Sequence, residues 1–189
     1  VELGTLVLSV PWRNPTLLAK MADTVEEISN GRLILGLGAG YHKFEFDAFG
    51  FPYDYRVSRF EEAIKIIHGL LRNGSIDFHG KYYETKACEL TPRGPRPNGP
   101  PILVGSKSPR MLSVTAKYAD SWNAYYDDTH NEVEGIRRLR PIIDAACVKE
   151  GRDPSTLERT STVLMADKSA DPWWDRLPSE QTIKQNPLV

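Results

Sequence analysis

Two short segments hold the residues whose types and spacing point to ligand chemistry. The first is Leu33-Ile34-Leu35-Gly36-Leu37-Gly38-Ala39-Gly40, an aliphatic run that dissolves into alternating glycines. Glycines at the end of a buried strand remove side chains where a flat ligand or another backbone comes close. The second is Gly105-Ser106-Lys107-Ser108-Pro109. It reads as a strand–turn–helix joint. Free backbone N–H groups at such a helix start favour an anion, Ser106 and Ser108 add hydroxyl donors, and Lys107 adds charge. Each segment also has a plainer reading: tight packing against a neighbouring backbone for the first, an ordinary turn with a good helix cap for the second. The glycine spacing is not a dinucleotide fingerprint, because no G-x-G-x-x-G opens a helix. No Walker lysine motif is present either.

Other candidates carry less. Tyr41-His42, with Glu45 and Asp47 downstream, could do acid–base work, although a lone loop His is more often solvated or packed. His68, His79 and His130 have no ligand spacing, so no metal is expected. Trp122-Asn123 sits at a strand end and suits either a pocket wall or the core. No Ser-His-Asp or Cys-His set assembles, and no catalytic residue is assigned. Cys88 and Cys147 lie far apart and read as reduced thiols of a cytoplasmic protein. The 24 basic residues balance 25 acidic ones, which argues against a nucleic-acid partner. No apolar run reaches the ~18 residues of a membrane span, and no signal peptide is visible.

The elements that must position these segments follow from hydrophobic period and punctuation. A strand ends near Val10-Pro11. Asn14-Pro15 caps and opens a helix with Leu17, Leu18, Met21, Ala22, Val25 and Ile28 on one face, and Asn30-Gly31 stops it. The glycine-ended strand, 32–38, follows, so the two strands should be parallel with a right-handed crossover. A loop is expected over 39–57. Ser58 and Glu61 match a capping box for a helix running to Asn73-Gly74. A small hairpin is expected over 76–85, a proline-rich connector over 92–101, and a short buried strand over 101–105. A helix from Pro109, a strand at 120–124, and a helix capped by Thr129 and Glu132, with Pro141 as a kink, come next. A last strand is expected over 160–166. Five strands alternating with four helices mean a parallel α/β sheet or barrel.

Taken together, these segments resemble the luciferase-like monooxygenase superfamily, and in particular its members that use the deazaflavin coenzyme F-420. Four stretches carry the resemblance: Leu3 to Pro15 running into Leu18-Ala19-Lys20-Met21, Ser29 to His42, Phe49-Gly50-Phe51-Pro52 through Arg59-Phe60-Glu61-Glu62, and Pro100 to Gly105 through Lys117 to Asn123. The resemblance implies a TIM (β/α)8 barrel, typically about 250 residues, here incomplete and holding approximately strands 3–7. Residues 1–166 would form that partial barrel, and 167–189 a divergent tail. The chain starts inside a strand without Met, and a fragment lacking the first two strands with their acid–base residues is expected.

The resemblance also assigns roles. A cis peptide at Leu6-Val7 would prop up the cofactor ring. Gly38, Ala39 and Gly40 would line the cleft, with Tyr41 near the ring or its side chain. Gly105, Ser106, Lys107, Ser108 and Pro109 would hold the phosphate. The implied chemistry is hydride transfer between the deazaflavin and a small organic substrate. The alternatives are an FMN-dependent monooxygenase, a non-catalytic flavin-binding protein, or an inactive gene fragment. A homodimer is expected as well.

Overall fold

The computed structural model describes residues 1–163. Its main sheet is parallel, with strands β1 (Leu3–Gly4), β2 (Leu8–Ser9), β3 (Leu33–Gly38), β6 (Ile102–Gly105), β7 (Ser121–Ala124) and β8 (Glu158–Ser161). The order is β1-β3-β6-β7-β8, with β2 also on β3. Helices α1 (Pro15–Ile28), α3 (Arg56–Asn73), α4 (Pro109–Tyr118) and α6 (Val133–Lys149) connect the strands. A separate antiparallel hairpin, β4 (Ser75–His79) with β5 (Glu84–Glu89), follows α3. Because every main-sheet strand points the same way, Ser9, Gly38, Gly105, Ala124 and Ser161 all end on one rim. That is the functional end of a parallel α/β sheet.

The expected helix starts at Asn14-Pro15 and Ser108-Pro109 are present. Asn14 Oδ1 accepts from Leu17 N at 3.0 Å, and Ser108 Oγ accepts from Met111 N at 3.4 Å. Both capping boxes are corrected. The helix expected at Ser58 begins at Arg56, after Tyr55 in a left-handed conformation, and Ser58 and Glu61 instead bind Arg110. Thr129 donates to Tyr126 O rather than capping α6, which starts at Val133 and runs continuously through Pro141. The loop expected over 39–57 contains a helix, α2 (Lys43–Phe49), held by Phe46, which is fully buried. The last strand begins and ends earlier than expected, and residues 164–166 of that expectation, with the tail 167–189, lie outside the described residues.

The core centres on α3, whose Phe60, Ala63, Ile64, Ile66, Ile67, Leu70 and Leu71 are fully buried between the sheet and the neighbouring helices α1 and α4. Helix α1 departs from the expected face. Leu18 and Ala22 are buried, but so are Asp23 and Glu26, while Leu17, Met21, Val25 and Ile28 are exposed. The rotation has an electrostatic cause. Glu26, with no exposed surface, binds the Arg96 guanidinium through both carboxylate oxygens and accepts from Leu33 N at 3.3 Å. Arg96 also donates to Leu33 O. Asp23 accepts from Gly94 N at 3.1 Å. The inner face of α1 therefore clamps the proline-rich connector to the start of β3, at the end of the sheet opposite the rim. A carboxylate in such a place needs its cation, since an uncompensated buried charge costs about 3–5 kcal/mol. Arg96→Ala should accordingly lower unfolding free energy by about 3–5 kcal/mol in urea titration, with Arg96→Lys recovering only part because it cannot grip both oxygens.

Candidate functional site

The rim is built around a break in the first strand. From Gly4 to Leu8 the chain advances four residues, while its partners on β3, Ile34 to Leu37, advance three. One extra residue makes a bulge, which re-aims side chains near a sheet rim. The Leu6-Val7 peptide within it is cis, as the resemblance implied. Thr5 repairs the ladder with its side chain: Thr5 Oγ1 donates to Gly36 O at 2.8 Å and accepts from Gly36 N at 3.0 Å.

The glycines explain how the bulge fits. A Cβ on Gly36 would stand 1.8 Å from Thr5 O, and one on Gly38 would stand 2.7 Å from Val7 Cγ2. A Cβ on Gly105 would come to 3.4 Å from Val7 Cγ1, an ordinary contact. Val7 thus lies between the ends of β3 and β6. Gly40 (φ +71°) is packed differently: a side chain there would meet Ser9 Oγ at 2.6 Å and the Phe46 ring at 2.8 Å. The space that these glycines leave is filled by protein atoms. They shape the site by seating the bulge, not by leaving an open slot beside β3.

What the bulge presents to solvent is apolar. Leu6 is 56% exposed and Val7 39%. Ser9 Oγ and Trp12 Nε1, just beyond, are buried without a hydrogen-bond partner among the described residues. Trp12 packs edge-on against Phe46 and Phe49, with ring centroids 5.3 and 5.5 Å away. Arg13 Nη1 donates to Ser9 O at 2.7 Å and Arg56 Nε to Gly40 O at 3.1 Å, so two guanidinium groups close the strand ends.

The second segment, the turn after β6, lies against the same Val7 through Gly105. Its serines are partly committed. Thr115 Oγ1 gives its single proton to Met111 O, so in its 2.9 Å contact with Ser106 Oγ the serine is the donor. Ser106 therefore has no proton left for an anion, contrary to the donor role expected for it. Trp122, buried at the end of β7, donates its indole N–H to Ser106 O at 2.8 Å and holds the turn in place. Ser108 Oγ accepts from the helix and keeps its proton free. Pro109, which has no N–H, begins α4, and Met111 N and Leu112 N bond back to Ser108, so the Arg110 N–H is what the first turn leaves at the helix end. Lys107 Nζ sits 2.7 Å from Asp128 Oδ1.

The structure adds residues that the sequence reading did not select. A short helix, α5 (Tyr126–Thr129), follows β7 directly, so Tyr125, Tyr126, Asp127 and Asp128 stand on the rim beside Lys107 and Tyr41. Their position one step after the strand Ser121–Ala124 was the available signal. Tyr41 stands 69% exposed with its ring 3.9 Å from that of His42. Partial burial, then Glu45, Tyr126 and Asp127, raise its phenol above the usual range, against a lowering by Lys107. Tyr125 is pushed up to about 12 by burial, by its hydrogen bond to Tyr126, and by the charges of Tyr126, Tyr41 and Asp127. Both phenols therefore stay protonated at neutral pH. Ala39 packs half-buried against the core. An open groove of about 670 Å³ lies elsewhere, between α1 and β5, lined by Thr16, Leu17, Lys20 and residues 84–89.

Comparison with known proteins bears on this rim. The luciferase-like monooxygenase family model matches residues 1–184. The 5,10-methylenetetrahydromethanopterin reductase of Archaeoglobus fulgidus is 29% identical over 171 residues, 90% of this chain and 48% of the relative. The FMNH(2)-dependent dimethylsulfone monooxygenase of Pseudomonas putida is 31% identical over 148 residues, 77% of this chain and 39% of the relative. Among solved structures, the coenzyme F420 dependent tetrahydromethanopterin reductase of Methanopyrus kandleri superposes with a TM-score of 0.71 at 22% identity, covering 85% of this chain and 49% of that one. The chain spans about half the length of the curated relatives it matches. Its parallel sheet is accordingly part of a luciferase-like (β/α)8 barrel.

The seating of the bulge yields a contrast between two glycines. Gly36→Ala forces a Cβ into the Thr5 backbone and should cost at least the ~1–3 kcal/mol of overpacking. Gly105→Ala meets only van der Waals contact and should change stability by less than about 1 kcal/mol. Thermal and urea melts of the two variants check this, and equal losses would contradict the seating role.

Proposed function

The chain belongs to the luciferase-like monooxygenase family, and from that premise we propose that it is an oxidoreductase whose rim holds the deazaflavin coenzyme F-420. The observation that carries the proposal is Val7. It touches Gly38 and lies against Gly105, so one exposed apolar surface adjoins one anion-compatible turn. A flat ring with a phosphate-bearing side chain needs that combination. Relatives of both kinds match this chain, a reductase over 90% of it at 29% identity and the FMNH(2)-dependent enzyme over 77% at 31%.

Each residue then has a task. Leu6 and Val7 cover one face of the ring and exclude water from it. The Arg110 N–H at the start of α4, with the Ser108 hydroxyl and Lys107, receives the phosphate, since oriented donors favour an anion. Trp122 and Thr115 hold that turn rigid from below. When bound, the coenzyme supplies hydride exchange with a carbon of a small organic substrate. Tyr41 and Tyr125 keep their protons and offer hydrogen bonds at the substrate side of the rim.

Melting the full chain with each cofactor tests this. Coenzyme F-420 should raise the melting temperature, because a ligand selective for the folded state at 100 times its Kd adds about 2.7 kcal/mol. Val7→Asp should remove the shift without removing the fold. No shift with either F-420 or FMN at saturation would overturn the proposal. A shift with FMN alone would move it to the monooxygenase chemistry of the family.

A further inference from the structure

Lys107 is the one cation on the turn after β6, and its charge is already answered. Its ammonium lies 2.7 Å from Asp128 Oδ1, on α5 after the adjacent strand β7. The lysine side chain is 72% exposed, whereas the aspartate is only 22% exposed. Asp128 is thus anchored in the protein and Lys107 is the mobile partner. The hydrogen bond to Asp128, followed by its charge and that of Asp127, holds the ammonium above its ordinary range, so the lysine is charged and compensated at once. The other polar groups nearby do not relieve this. Ser106 gives its proton to Thr115, and Ser108 Oγ accepts from Met111 N.

Resting on the cofactor assignment above, we propose that Asp128 is a built-in counter-anion that competes with the cofactor phosphate for Lys107. A phosphate arriving at the turn must draw the ammonium away from Asp128 or share it. The ion pair therefore lowers affinity for phosphate-bearing ligands and acts on the phosphate rather than on the ring. The opposite role, in which Asp128 aims Lys107 at the phosphate, predicts the opposite sign for its removal.

Fluorescence titration of the full chain separates the two. The probes are FMN and coenzyme F-420, each set against its phosphate-free counterpart, riboflavin or the ribityl deazaflavin. Asp128→Asn should tighten binding of the phosphate-bearing probe by about two- to fivefold, the range of an exposed ion pair. It should leave the phosphate-free counterpart unchanged. The gain should vanish in the Lys107→Met background, as a double-mutant cycle requires for a direct pair. Asp47→Asn removes the same charge from the 2.7 Å pair with Lys43 on α2 and should leave affinity unchanged. Unchanged or weaker binding by Asp128→Asn, or a gain that persists without Lys107, overturns the inference while the cofactor assignment stands. If the unsubstituted chain binds neither phosphate-bearing probe, the cofactor assignment fails and the inference falls with it.

Discussion

The rim depends on a steric exchange between two strands. The first strand carries one residue too many for its partner, and the surplus has to go somewhere. It goes into the volume that Gly36 and Gly38 leave on β3, with Gly105 on β6 just wide enough for Val7. Thr5 makes the exchange affordable by giving Gly36 the two hydrogen bonds that the interrupted ladder withholds. A buried peptide group left unpaired would otherwise cost about 1–3 kcal/mol. Every other feature of the site follows from where that bulge lands. Leu6 and Val7 face outward at the rim, and the turn after β6 is brought against them.

The buried ion pair and the candidate site lie at opposite ends of the sheet. At the start of β3, buried Glu26 joins Arg96 and Leu33 and binds the proline-rich connector to α1. At the far end of the same strand the backbone runs out into glycines, aromatic residues and titratable groups. The hairpin is fastened from the side: Glu62 of α3 accepts from the amides of Lys81, Tyr82 and Tyr83 at 2.9, 2.8 and 3.1 Å. Such division is usual in parallel barrels, where one face carries the fold and the other is free to vary.

Much of this was legible in the sequence, and for physical reasons. Continuous aliphatic runs announced β3 and β6, and Asn14-Pro15 and Ser108-Pro109 announced two helix starts, because local sterics and capping decide them. The glycine run was legible as a special strand end, but not its cause, since the sequence cannot say whether a ligand or Thr5 and Val7 fill the space. The buried face of α1 was misread because Asp23 and Glu26 look solvent-bound until Gly94 and Arg96, about 70 positions away, supply their partners. The capping box at Ser58 failed for the same kind of reason, since Ser58 and Glu61 find a partner in Arg110, whereas Thr129 turns back locally to Tyr126 O. Asp128 was invisible as a site residue because its meaning lies in Lys107, on another loop.

The most direct measurement of the central claim is residue-resolved nuclear magnetic resonance. The full chain, labelled in the Leu and Val methyls and the backbone amides, is titrated with coenzyme F-420 and with FMN. One bound ligand should shift the Leu6 and Val7 methyls and the Lys107 and Ser108 amides together, along a single saturation curve. Shifts confined to the groove between α1 and β5, at Thr16, Leu17 and Thr85, with the Leu6 and Val7 methyls unmoved, would contradict it.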